Sequence, residues 1–445
     1  MDTGSPLILT LLPLVAAAIA LPLRSRRRVT VIIGLVSLGL LTLLLVLASP
    51  GAGLFADNSV IAFGRELVLT PFVRSLFLFL YPAMGLFFAC TLFFPAGRAL
   101  VPVGLAILSP LAVALMINPV ALGAVFILAA AALTLPVLHG GHFEAAGASW
   151  RYVLLVALGM APLLLTLSAP AGASGSSSWL WPLAALLIWF GGFPFHIWVW
   201  GLGRHAPMTA LCLALGIGQM IVVVYLLGAV DAVPAARMSV QFQSAVRWSA
   251  ALTALIAAFQ MARAADRRGI IAGLLLLDTG LLVLAALSPG SDGLMIALPS
   301  LMGRFLGLML VTTALAIPPA DADSTRAARW NDLLRPGLLI YGCLSLIGMP
   351  PTPGFSGRWS QLVVAGQGAS PWPVVAIGVA LTVGLVALFR VIPILLTQDR
   401  EGRQIDGPST QVSTIFLMFL AGLSLLIGLL PGLLPGLAAR MLGLS

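Results

Sequence analysis

The sequence predicts an all-α integral membrane protein with about fourteen transmembrane helices, and three observations carry this prediction. The 445 residues are 60% hydrophobic and only 8% charged, a composition typical of polytopic membrane proteins. The apolar residues run in stretches long enough to cross a bilayer. Two of those stretches are interrupted by glycine and proline, which indicates two helices broken at membrane depth.

A helix needs roughly 20 apolar residues to cross the hydrocarbon layer. The predicted spans, numbered 1 to 14 in chain order, are about 6–23, 29–48, 71–94, 99–117, 119–138, 151–169, 179–203, 207–230, 244–262, 269–287, 293–317, 336–366, 372–397 and 411–430. Spans 7 and 12 are the broken ones.

The position of the breaks predicts an internal repeat. Spans 4–8 and spans 9–13 each contain five helices, and the fourth helix of each set is broken. Because five is odd, the second set is inverted relative to the first, as in secondary transporters. We therefore predict a three-helix segment (1–95), two inverted five-helix repeats (96–230 and 231–400) and a C-terminal helix (401–445).

Proline and glycine supply the helix-break residues at both places, because proline lacks the N–H that a helix needs and clashes with the preceding turn. The predicted break residues are Gly191, Gly192, Pro194 and Pro207 in the first half and Pro350, Pro351 and Pro353 in the second. Such breaks are tolerated in a membrane where protein buries them or where they line a polar cavity.

The net charge of +9 predicts membrane orientation rather than nucleic-acid binding. All 23 basic residues are arginine; fifteen follow odd-numbered spans and five lie on the other side. The positive-inside rule then places the loops that follow odd-numbered spans in the cytoplasm. Both termini are predicted to lie on the opposite, outer side of the inner membrane. The cluster Arg24–Arg28 is an orientation signal and a candidate contact for anionic lipid. The remaining three, Arg304, Arg358 and Arg390, lie within spans and are expected to face the protein interior.

No cofactor is predicted. The cysteines Cys90, Cys212 and Cys343 fall in separate spans without metal-ligand spacing, and no phosphate-binding glycine loop follows a strand. His139, His142 and Glu144 share one loop, but a loose set of three residues is a weak candidate for a metal site.

Asp278 is the only carboxylate deep within a predicted span. A buried carboxylate needs a partner, so we predict an ion pair with Arg304 or with Arg358. The pair either switches within a proton path or is a static brace.

Other polar residues in the spans leave similar alternatives open. His196 is either a proton relay or a brace for the broken helix. Gln219 either lines a water wire or packs without transport. Arg358 and Arg390 either set a positive potential along the interior or are structural.

Several motifs together resemble one family. GGFPFHIW followed by HAPMTA, LIGMPPTPGFSGRW, and ADRRGIIAGLLLLDTG are similar to segments of the antiporter-like membrane subunits of respiratory complex I and of Mrp-type cation/proton antiporters. The third and thirteenth spans also resemble those of the family. The short C-terminus looks most like that of chain N of respiratory complex I.

The resemblance implies proton translocation through a row of buried glutamates and lysines, and this chain departs from that row. Trp189 and Gln219 stand at lysine positions, Gly201 at an aspartate position, and the fifth-span glutamate has no counterpart. Arg358 stands at a lysine or glutamate position, Arg304 at a lysine or histidine position, and Asp278 at a glutamine or histidine position.

The resemblance implies a membrane-arm subunit of a complex I-like or Mrp-like assembly. Its partners would be other membrane subunits, the lipid bilayer and protons or cations, and it would hold no redox or catalytic centre of its own, even as part of an NADH-quinone oxidoreductase-type translocase. The first hypothesis is a proton-conducting subunit that uses His196, Asp278 and bound water. The second is a structural subunit that does not pump. The third is a membrane partner in an inorganic-carbon-uptake or hydrogenase complex.

Overall fold

The computed structural model describes residues 5–47, 59–62, 64–93, 97–140, 143–168, 179–316, 326–397 and 410–444. Helices α1–α8 are Ser5–Ala20, Arg27–Leu47, Pro71–Phe93, Leu100–Met116, Gly123–His139, Phe143–Ser168, Leu180–Phe190 and Ile197–His205. Helices α9–α14 are Met208–Leu211, Gln219–Asp231, Pro234–Arg237, Val240–Arg263, Arg267–Leu282 and Gly290–Ala316. Helices α15–α19 are Arg326–Ile347, Phe355–Gly366, Trp372–Thr397, Thr410–Leu429 and Leu433–Met441.

Each predicted span has a helical counterpart, and the predicted class is confirmed: the chain is an all-α, multi-pass membrane protein. Within the described residues, nine helices are long and apolar enough to cross a membrane, or ten if α18 and α19, bent by 84°, count as one. Four predicted spans correspond to shorter apolar helices, Pro6–Ala20, Leu100–Met116, Leu180–Phe190 and Leu334–Ile347. The count of fourteen crossings therefore remains a prediction.

The helices at the centre of the molecule are α10, α13 and α14, which are buried on nearly all sides. A helix that is apolar all round belongs in such a core. Helices α2, α6 and α17 instead expose large apolar side chains such as Val36, Leu154 and Val386, as expected of helices that face lipid.

Both broken helices end in the same way. Helix α7 ends at Phe190, Gly191 follows with φ of 69°, and α8 begins at Ile197. Helix α15 ends at Ile347, Gly348 follows with φ of 85°, and α16 begins at Phe355. Only glycine adopts such left-handed angles readily. In each case a proline, Pro194 or Pro351, comes three residues after that glycine.

The first break is braced by α12. Ser249 Oγ donates to the Phe193 carbonyl at 2.7 Å, and the Phe193 N–H donates to Thr253 Oγ1 at 2.7 Å. Backbone groups that leave a helical ladder inside a membrane must find such partners, so the two hydroxyls explain how a non-helical segment is held there.

The second break is braced by side chains of α15 itself. The Gly354 N–H donates to Ser345 Oγ at 3.2 Å, and Tyr341 Oη donates to the Pro351 carbonyl at 2.7 Å. Pro350 and Pro353 lie in the same loop, and the bond between Pro350 and Pro351 is cis, as is that between Phe193 and Pro194.

Helix α14 packs closely on the second break and on α16. A Cβ at Gly303 would lie 2.7 Å from Gly354 Cα, and a Cβ at Gly357 would lie 2.4 Å from Ser300 Cα. These are backbone contacts that a larger side chain would disrupt. The glycines therefore fix the distance between α14 and the residues that follow the break.

Three features were not predicted from the sequence. Predicted span 8 is not a uniform α-helix, because Cys212–Gly218 is π-helical and ends just before Gln219. The strands β1 (Ser59–Ala62), β2 (Arg65–Val68) and β3 (Ile117–Asn118) form a small antiparallel sheet in the order β1-β2-β3. Helix α19 turns sharply away from α18 and packs against α14.

Candidate functional site

A buried ion cluster lies where α13, α14 and α16 meet. Asp278, on α13, is 3% exposed, and both of its oxygens accept hydrogen bonds from guanidinium groups. Arg304 donates from Nε to Oδ2, and Arg358 donates from Nη2 to Oδ1 at 2.6 Å. The two predicted pairings are therefore present together.

Two glutamines extend this cluster. Arg304 donates from Nη1 to Gln219 Oε1 at 2.7 Å, and Arg358 donates from Nη1 to Gln361 Oε1 at 2.6 Å. We call the five residues Gln219, Asp278, Arg304, Arg358 and Gln361 the central cluster. It links a residue of the first predicted repeat, Gln219, to four residues of the second.

Arg358 also connects the central cluster to the second break. Its Nε donates to the Ile347 carbonyl at 2.9 Å, and its Nη2 donates to the Leu346 carbonyl at 3.0 Å. These carbonyls are at the C-terminal end of α15, where a helix leaves acceptors without a partner and carries partial negative charge. The broken helix thus supplies part of the environment that makes a buried guanidinium tolerable.

The central cluster carries a formal net charge of +1, because two ionised arginines face one carboxylate. Arg304 and Arg358 are 1% and 3% exposed, and removing such charges from water is expensive unless partners replace the water. Two buried donors, Arg304 Nη2 and Gln219 Nε2, have no partner among the described residues. Donors of this kind are normally satisfied by water or an anion.

Gln361 was missed by the sequence reasoning. It is fully buried, and its Nε2 donates to Ser300 Oγ at 2.9 Å. A signal for it was available, because Gln361 follows Arg358 by three residues, and residues three apart on a helix are neighbours on one face.

His196 lies at the first break and away from the central cluster. Its ring stacks on Phe193 at 6.1 Å between centroids, and its buried Nδ1 has no partner among the described residues. Among the described residues, no hydrogen bond or ion pair connects this imidazole to Asp278. The relay remains a prediction, and the stacking on the broken segment favours the brace.

Arg390 does not face the interior, so that expectation is wrong. Its side chain is exposed, and its Nη2 donates to the Ala262 carbonyl at 2.7 Å. Ala262 is in the last turn of α12, where carbonyls lack helical partners. Arginine reaches such an acceptor with its long side chain while it keeps part of its charge in a polar region.

Trp189, at a lysine position of the family, occupies the interior of the first half. It is 2% exposed, its Nε1 donates to the Val156 carbonyl at 3.0 Å, and its ring stacks on Tyr225. The indole N–H is fully used and cannot titrate. The charged residues of the central cluster, Asp278, Arg304 and Arg358, all belong to the second predicted repeat.

The remaining predicted residues have structural positions. Pro207 precedes α9, and the Gly192 N–H donates to the Leu187 carbonyl at 2.9 Å. In the loop proposed as a weak metal site, Glu144 pairs with His205 at 3.2 Å, while His142 lies outside the described residues. In the part of the chain that the structure describes, no three histidine, cysteine or acidic residues are grouped to hold a metal.

No protein-family model matches the chain. A curated relative, NADH-quinone oxidoreductase subunit N from Salinispora arenicola (strain CNS-205), is 24% identical over 229 residues. That segment is 47% of this chain and 41% of the relative, so the match spans less than half of the relative's length.

Solved structures match over nearly the full length. A chain of the membrane-bound sulfane sulfur reductase, an archaeal respiratory membrane complex, gives a TM-score of 0.76 at 17% identity and covers 99% of this chain and 97% of its own. A chain of respiratory complex I from Thermus thermophilus gives a TM-score of 0.71 at 19% identity, and the match covers 99% of each chain. A chain of the Mrp complex from Dietzia sp. DQ12-45-1b gives a TM-score of 0.75 at 16% identity, and the match covers 99% of this chain and 96% of that one.

The chain therefore shares its fold with chains of these respiratory and Mrp complexes. The partial match to the curated relative agrees with the resemblance that the sequence motifs indicated.

Proposed function

We propose that this chain is a membrane-arm subunit of a complex I-like or Mrp-like assembly and takes part in proton or cation/proton translocation. The named relatives are subunits of multi-subunit membrane complexes, which supports other membrane subunits as partners. The observation that carries the proposal is the central cluster. A carboxylate shared by two arginines, one of them bound to a broken helix, is a device whose pairing changes when the half-helices move.

The proposed step uses residues of the second half. Asp278 is the one carboxylate of the central cluster, and a proton on it would weaken both guanidinium contacts. Arg358 would then keep its hydrogen bonds to the Leu346 and Ile347 carbonyls, and Arg304 would keep its hydrogen bond to Gln219. Water at the donors Arg304 Nη2 and Gln219 Nε2 would supply or accept the proton.

A non-pumping structural subunit is the second candidate, and two observations favour it. Both oxygens of Asp278 are already bonded to arginine, and Trp189 replaces a titratable lysine of the family. Buried ion pairs are retained in some proteins without any role in transport. A place in an inorganic-carbon-uptake or hydrogenase complex remains a further prediction, which the neighbouring genes would test.

Proton uptake by vesicles that contain the whole assembly distinguishes these two candidates. The key variant is the double substitution Asp278→Asn with Arg358→Gln, because it keeps the cluster at +1 while it removes the carboxylate. We expect the assembly to form and proton uptake to be largely lost. Asp266→Asn, at the residue just before the same helix and in a partly exposed pair with Arg204, is the matched control. Parental uptake in the double variant would support the structural subunit instead.

We further propose an inner-membrane location with the odd-numbered loops in the cytoplasm and both termini outside. The arginine bias supports this orientation. Because all three native cysteines are buried, Ser25→Cys and Gln241→Cys give clean labelling sites on the two faces. A membrane-impermeant maleimide added to intact cells should label the second variant and not the first; the reverse pattern would invert the topology.

A further inference from the structure

We infer that a basic cavity on the arginine-rich face binds a phosphate group, most simply the headgroup of an anionic lipid. The cavity has a volume of about 750 Å³, and its lining includes Arg24, Arg98, Arg267 and Arg268. This volume is in the range of ordinary small-molecule sites. The cavity is lined by other residues than the central cluster, so the inference does not depend on proton translocation.

The charge in this cavity is unbalanced. Among the described residues, the lining includes four arginines and no carboxylate. The nearest acidic side chain in sequence, Asp266, pairs with Arg204 at 3.7 Å. Arginine presents a planar fork of donors that fits phosphate oxygens, so four guanidinium groups around one cavity indicate an anionic occupant.

Two of these arginines have their donors available. Arg24 and Arg98 are exposed, and their side chains make no hydrogen bond or ion pair with the described residues. Arg268, in contrast, donates from Nη1 to the Ala206 carbonyl at 2.9 Å, which fixes it against the cavity wall. The site therefore combines an anchored guanidinium with two that are able to close on a ligand.

Two helices begin at the edge of the same cavity. Helix α4 begins at Leu100 and α13 begins at Arg267, and neither has a side-chain cap. Both residues are part of the lining. Uncapped N–H groups and the positive end of the helix dipole favour phosphate at such positions, in addition to the arginine charges.

The walls favour an amphiphilic ligand over a free ion. Leu100, Val137 and Leu315 line the cavity beside the arginines. All the arginines of the lining follow odd-numbered spans, which is the side predicted to face the cytoplasm. The cytoplasmic leaflet carries anionic lipids, and basic pockets between transmembrane helices on that side suit their headgroups.

Thermal unfolding of the purified full-length chain with added lipid tests this inference. We expect phosphatidylglycerol to raise the Tm and phosphatidylcholine to leave it nearly unchanged. The variant Arg24→Gln with Arg98→Gln should bind phosphatidylglycerol at least about tenfold more weakly, since each arginine near such a surface contributes appreciably. Arg65→Gln with Arg440→Gln removes the same charge at exposed arginines elsewhere and should bind like the parent.

A second ligand and a further double variant distinguish the possible outcomes. Inorganic phosphate that raises the Tm as much as the lipid does, with the same dependence on Arg24 and Arg98, would support the phosphate site and identify a free anion as its source. Arg24→Lys with Arg98→Lys should restore part of the lipid effect, which guards against a misfolded glutamine variant. Equal lipid binding by the two glutamine double variants, or no effect of either ligand on the parent, would overturn the inference.

Discussion

Arg358 Nη2 lies 2.6 Å from Asp278 Oδ1 and 3.0 Å from the Leu346 carbonyl. One guanidinium thus joins the buried carboxylate of α13 to the end of the broken helix α15. This contact connects the charge of the central cluster to the geometry of the break, so a change in either should affect the other.

Loss of the carboxylate should destabilise the protein strongly. Asp278→Asn leaves Arg304 and Arg358 buried without a counter-charge, and breaking a buried pair in this way costs about 3–5 kcal/mol. Adding Arg358→Gln should recover part of that loss. The measurement is the free energy of unfolding in detergent. Asp266→Asn, in a pair whose side chains are 42% and 39% exposed, should cost at most about 1 kcal/mol; a comparable loss in both single variants would contradict this account.

The spacing between α14 and α16 should be equally sensitive. In Gly357→Ala the new Cβ would meet the Ser300 backbone at 2.4 Å, so α16 must shift and displace Arg358. We expect a destabilisation of about 1–3 kcal/mol. Gly366→Ala lies on the same helix with nothing within 4 Å of its Cβ, and it should be neutral or slightly stabilising. Thermal unfolding of the two variants side by side makes the comparison.

The brace at the first break should depend on one hydroxyl. Thr253→Val keeps the shape of the side chain but leaves the Phe193 N–H without its acceptor, which should cost about 1–3 kcal/mol. Thr382→Val, an exposed threonine that bonds only within its own helix, is the control. If both substitutions shifted the Tm by the same amount, Thr253 would not hold the break.

His196 should be dispensable for transport, because its ring stacks on Phe193 while the described bonds of Asp278 are to Arg304 and Arg358. We expect His196→Ala to keep most of the proton uptake of the assembly in vesicles, whereas the variant without the Asp278 carboxylate loses it. If His196→Ala abolished uptake while the assembly remained intact, the relay hypothesis would be restored.

Trp189 should act through packing rather than charge. Trp189→Phe removes the hydrogen bond to the Val156 carbonyl, and we expect a loss of about 1 kcal/mol in stability with no change in the pH dependence of uptake. A changed pH profile would show that the first half contributes to the proton path. A Cβ added at Gly159 would lie 2.2 Å from the Trp189 indole nitrogen. Gly159→Ala should therefore reproduce the stability loss.

The sequence by itself determined the class of protein, the two broken helices and the short list of partners for Asp278. These follow from local rules: proline and glycine interrupt a helix wherever it lies, and a buried carboxylate in a chain with so few charges has few possible partners. Only the tertiary structure decided that both arginines bind Asp278, that Gln361 joins them and that Arg390 is exposed.

The cavity lined by Arg24, Arg98, Arg267 and Arg268 is likewise a product of tertiary structure, since its arginines come from three distant parts of the chain. The physical reason is the same in each case. Lipid is as apolar as the protein interior, so the hydrophobic pattern of a membrane helix says little about which face meets its neighbours. That rotation is fixed by close packing between distant segments, as at Gly357 and Ser300, and it decides which polar side chains meet.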